Sequence, residues 1–195
     1  MIKYLKDPMS GLTHCIGAIL SIVALVLLIL KAVNPVDPWK IVSFSIFGTG
    51  LFLLYTASTL YHWIPVSGRA ESILKRFDHI MIYVLIASTY TPICLIPLRG
   101  PWGWRLFGIV WGLAVFGILW KLFQFKFSNW FSTVYYVFMG WLCIIAIWPL
   151  FTHLQMGALI CYLSVEYFIP VVSFSMHWIG ENHRLKDLGF MKYGI

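Results

Sequence analysis

Ser58 and His62 stand four residues apart, one helical turn, near the end of a long apolar stretch, and Asp78 opens the next one. A hydroxyl, an imidazole and a carboxylate brought to one depth can do acid–base chemistry or bind a metal. A neutral imidazole is a good zinc ligand, and a carboxylate beside it can orient a water molecule or act as general base. One histidine and one aspartate are fewer ligands than zinc takes, so on these residues alone the metal reading is incomplete. Each residue also has a plainer reading. A serine in an apolar helix can bond a carbonyl one turn earlier. A histidine near a helix end can sit in the headgroup region, and Asp78 can cap its helix. For His14 interfacial placement explains the residue about as well as a place in the site does; His79 is read as interfacial, and Pro92 as a kink in its span.

The stretches that must position these groups are membrane spans. The 195-residue chain is 61% hydrophobic and 11% charged, with a mean hydropathy of +0.85. A soluble domain carries roughly twice that charge. The apolar runs are continuous, which excludes the alternating pattern of a β-barrel, and long enough to cross a bilayer, which takes roughly 20 helical residues. The fold class expected is all-α, a polytopic membrane helix bundle. Six spans are predicted, over residues 11–30, 41–62, 77–96, 103–122, 130–151 and 157–174. The first is too long for the apolar part of a signal peptide and is expected to stay as a helix. Trp39, Trp63, Trp102, Trp104 and Trp130 lie near span ends, as an interfacial aromatic belt requires. In such a segment an ionisable side chain costs about 3 kcal/mol on insertion scales, so a polar cluster marks a functional site by default.

The net charge of +7 is spread through short loops and does not form a block, so nucleic acid is not an expected partner. The bilayer is. Lys3, Lys6, Arg69, Lys75, Arg76, Lys121 and Lys126 fall on one side, against Lys31, Lys40, Arg99 and Arg105 on the other. That bias predicts a cytoplasmic N-terminus and places His14, His62 and Asp78 near the cytoplasmic face. Cys15, Cys94, Cys143 and Cys161 all lie in apolar runs, form no CxxC pair and are read as structural.

Four segments carry a resemblance. Asp7-Pro8-Met9-Ser10-Gly11-Leu12-Thr13-His14, Ser58-Thr59-Leu60-Tyr61-His62, Phe77-Asp78-His79 and Ala87-Ser88-Thr89-Tyr90-Thr91-Pro92 together resemble the bacterial hemolysin III family, within the progestin and adipoQ receptor superfamily. The likeness runs from about Lys6 to Gly157. It implies a seven-helix bundle with a cytoplasmic N-terminus in the bacterial plasma membrane. It also implies a zinc site near the cytoplasmic face, with His62 as a ligand, Asp78 holding or activating the water on the metal, and Ser58 supporting them. The two remaining ligands would come from a His-x-x-x-His motif at the start of the seventh helix. The wider superfamily is similar to membrane amide hydrolases, which makes a lipid-like amide or ester the implied substrate.

The pattern breaks after about Leu159, so residues 1–160 are read as the hemolysin III-like bundle and 161–195 as an atypical tail. No seventh span follows, and His177 and His183 stand six apart. The genetic code offers an explanation. In a frame that starts on the third base of each codon, Cys161 into Tyr162 must give Leu. Met176 into His177 must give Ala, His177 into Trp178 Leu, and Trp178 into Ile179 Asp. Met191 into Lys192 must give Glu. Residues 190–195 then permit His-Glu-Ile-Trp-His, the missing motif. A frameshift near residues 157–161 is the reading adopted; a diverged tail is its alternative. Three functions follow: a zinc-centred hydrolase-like membrane protein, a non-enzymatic sensor with structural zinc, and a pore-forming cytolysin. The spans carry few charges to line a channel, which weighs against the last.

Overall fold

The computed structural model describes residues 5–123 and 129–142. Five helices run through them: α1 (Pro8–Ala32), α2 (Pro38–Trp63), α3 (Arg69–Leu95), α4 (Pro101–Leu122) and α5 (Asn129–Trp141). No strand occurs among the described residues. The chain divides into two compact units, Met1–Phe127 with α1–α4 and Ser128–Ile195 with α5.

The helix boundaries follow local chemistry. α1, α2 and α4 each begin on a proline, whose fixed φ and missing N–H suit the first helical position. Asp37 caps α2 by accepting the backbone N–H groups of Trp39 and Lys40 at 3.0 and 3.3 Å. Gly68, at φ = +66°, lets the chain turn into α3. α2 ends two residues before Pro65, which cannot continue it.

Consecutive helices pack as neighbours, α1 on α2, α2 on α3 and α3 on α4. Their close approaches are made at glycines. Gly11 lies against the Trp63 ring and Gly17 against Tyr55, both between α1 and α2. Gly50 meets Ser88 between α2 and α3, and Gly117 meets Tyr83 between α3 and α4. Lipid gives helices no hydrophobic reason to associate, so small residues that let backbones approach take over that role. Ala57, Ile80 and Met81, with Leu54, Val84 and Ile118 against them, form a core cluster beside Ser58 and Asp78.

α1–α4 are each long and apolar enough to cross a membrane. They overlap the first four predicted spans. α1 leaves Leu12, Ile16, Leu20, Leu27 and Leu30 exposed, the surface a lipid-facing helix presents. α3 is buried on every side over Leu85–Thr91, which explains how Ser88, Thr89 and Thr91 are tolerated: each hydroxyl bonds a carbonyl one turn earlier. The fifth predicted span is described only over α5, and the sixth, with the tail 161–195, lies outside the described residues. The third span needs correction. It was expected to open at Phe77, but α3 starts at Arg69. The charged first turns of α3 had hidden its true beginning, because helix and apolar run need not coincide.

Candidate functional site

Successive antiparallel helices put the start of α1, the end of α2 and the start of α3 at one end of the first unit. The Asp7 N–H donates to the His62 carbonyl at 2.9 Å, which fixes the first two together. Ser58 and His62 occupy the last two turns of α2. Asp78 lies nine residues inside α3, roughly 14 Å from its first residue at 1.5 Å per residue. It therefore does not cap the helix; Gly68 holds the N-cap position.

Three predicted residues come together. Ser58, a buried residue, and His62 both lie near enough to the Asp78 carboxylate to interact with it. Ser58 thus serves a neighbouring helix. Back-bonding within α2 is done by Thr59, whose Oγ1 donates to the Tyr55 carbonyl at 2.7 Å. The His62 side chain is 22% exposed, open enough to meet a ligand from outside. Lys75, one turn before Asp78, adds a positive charge nearby.

The sequence reading undervalued two further residues. His14 is stacked on His62, with ring centroids 5.5 Å apart and planes 14° from parallel. It also lies 6.0 Å from the Tyr55 ring. Asp7 places Oδ2 at 3.4 Å from His62 Nδ1. Lys6 next to it pairs with Glu71 at 2.7 Å and sits 4.1 Å over the Tyr61 ring. Both residues belong to the segment Asp7–His14 that carries the family resemblance, and that was the signal available. His79, by contrast, turns Nδ1 to the Lys75 carbonyl of its own helix.

One imidazole and one carboxylate, with a hydroxyl beside them, are fewer ligands than a zinc ion takes. Among the described residues no group of three or more His, Cys, Asp and Glu side chains is arranged to hold a metal ion. A zinc ion at His62 would need ligands from outside those residues.

A bundle of apolar helices with a serine, a histidine and an aspartate gathered at one end defines a polytopic α-helical membrane protein. Comparison with known proteins narrows this. The chain matches the family described as Haemolysin-III related over residues 2–183. Hemolysin-3 of Bacillus cereus is 40% identical over 191 residues, which cover 96% of this chain and 87% of that protein. A Hemolysin-3 homolog of Bacillus subtilis (strain 168) is 50% identical over 155 residues, covering 80% and 72%. This chain belongs to the hemolysin III family. No solved structure matches it.

Proposed function

We propose that the protein is a zinc-centred, hydrolase-like enzyme of the bacterial plasma membrane, with its N-terminus and its site at the cytoplasmic face. The observation that carries this reading is the convergence of Ser58, His62 and Asp78 at one end of the bundle. Polar groups are costly in an apolar setting, and here they are spent on each other. His62 would be a zinc ligand. Asp78, held by Ser58, would stand ready to accept a proton from water attacking a lipid-like amide or ester. When bound, zinc would supply Lewis acidity and lower the pKa of water. The two further ligands would lie in the His-x-x-x-His that the shifted frame of residues 190–195 permits. Residues 161–195 as they stand contain no His-x-x-x-His.

Lipid turnover in liposomes tests the reading, comparing this chain, a version with the frame of residues 161–195 restored, and His62→Ala in the restored version. Zinc-dependent hydrolysis by the restored chain, lost in His62→Ala, is the expected result. Zinc-dependent stability without turnover would instead mark a sensor. The relatives' names favour one more reading, lysis. Dye leakage that survives His62→Ala would establish it in place of the enzyme.

A further inference from the structure

The dipeptide Asp-Pro opens both α1 and α2, and the two aspartates are used differently. Asp37 turns its carboxylate onto the backbone N–H groups of its own helix. Asp7 holds the same N-cap position before Pro8 but makes no side-chain cap. Its carboxylate reaches across to α2, where Oδ2 faces His62 Nδ1 at 3.4 Å. An N-cap carboxylate stabilises the helix it caps. Asp7 forgoes that contribution, so its direction needs another explanation.

The surroundings hold it there. The Asp7 N–H donates to the His62 carbonyl at 2.9 Å, satisfying one of the carbonyls left open at the end of α2. Lys6 is anchored on both neighbours, to Glu71 of α3 at 2.7 Å and over Tyr61 of α2 at 4.1 Å. His14 stacks on the His62 ring. A neutral imidazole has one N–H and one lone pair. A carboxylate that accepts from Nδ1–H leaves the lone pair on Nε2 and fixes the ring's orientation. At 3.4 Å the contact is longer than a fully made N–H···O bond. Such bonds in ligand-free sites are often long and tighten when the site is engaged.

The geometry points to Asp7 as the positioning residue of His62, setting its Nδ1–H tautomer and presenting Nε2 to a ligand. The consequence for metal binding rests on the proposed role of His62; the tautomer does not.

The test is 15N NMR of the histidine-labelled full chain in lipid nanodiscs, with the His62 signals assigned by their loss in His62→Gln. The Nδ1–H tautomer is expected to dominate in the wild type. Asp7→Ala keeps the backbone bond but removes the carboxylate, and the Nε2–H tautomer should rise. Asp7→Ser, which can still cap α1 but is too short to reach His62, should do the same if the alanine variant fails to fold. Asp7→Asn keeps an acceptor oxygen and should restore the wild-type pattern. Zinc alone is then titrated into the same variants, and the wild type, in the chain with the frame of residues 161–195 restored, the form in which the metal reading places a complete site. Asp7→Ala should need roughly 10–100-fold more zinc to move the His62 signals. An unchanged tautomer in Asp7→Ala and Asp7→Ser would overturn the inference, because a purely structural strap predicts that result. A moved tautomer with His62 untouched by zinc in every sample, wild type included, would refute the metal reading and leave the role of Asp7 standing.

Discussion

Ser58 is buried on α2 and interacts with the half-buried Asp78 of α3. Removing the hydroxyl leaves the carboxylate short of a donor. Ser58→Ala is therefore expected to lower stability by roughly 1 kcal/mol, in the range measured for side-chain hydrogen bonds inside membrane proteins. Denaturant titration in mild detergent, read by helicity, checks it; Ser58→Thr, which keeps the hydroxyl, should lose less. The spacing of Ser58 and His62 was legible because α-helical periodicity alone puts residues four apart on one face. The parts played by Asp7 and His14 were not. Contacts between residues 55 positions apart depend on how α1 is laid against α2, and no local pattern encodes that.

At the scale of the element, glycines separate positions where a methyl group fits from positions where it does not. A Cβ on Gly103 would stand 2.3 Å from the carbonyl oxygens of both Cys94 and Leu98, which are backbone atoms and cannot swing aside. Gly108, on the same helix, has nothing within 4 Å. Gly103→Ala should cost about 1–3 kcal/mol through overpacking. Gly108→Ala should be neutral or stabilising by up to about 1 kcal/mol, the helix-propensity gain. Unfolding of the two variants side by side decides it. The cap of α2 gives a pH prediction. Burial pushes the Asp37 carboxyl up, but the backbone N–H groups of Lys40 and Trp39 and the Lys40 side chain outweigh it and hold the pKa below 3.8. A lowered folded-state pKa means stability that is present above the unfolded value and lost as pH falls through the folded one. Asp37→Asn, itself a good cap, should match the wild type at pH 7 and escape part of its loss below about pH 4, read from thermal midpoints. Four helices were legible from run length. The start of α3 was not, because its first turns, with Arg69, Glu71, Lys75 and Arg76, are helical without being apolar.

For the whole molecule, basic residues set the orientation. A bias of seven against four predicts the connection after α2 on the cytoplasmic side and the connection after α1 outside. Ser67→Cys and Asn34→Cys place thiols at exposed positions in these two connections. A membrane-impermeant thiol reagent on intact cells should label Asn34→Cys, and Ser67→Cys only after permeabilisation; the reverse pattern would invert the topology. The family was legible from four motifs acting together, and the chain's membership follows from matches over most of its length. On the proposed zinc reading, the two further ligands come from the shifted frame of residues 161–195. Resequencing the DNA for residues 150–195 and about 100 bases beyond, on the order of one more helix of codons, settles their frame. The measurement that bears most directly on the central claim is zinc content. Elemental analysis would compare the purified chain with the frame of residues 161–195 restored and the same chain carrying His62→Ala. The account predicts about one zinc per chain in the first and a loss in the second. No zinc in the restored chain, or zinc that His62→Ala leaves in place, would contradict it.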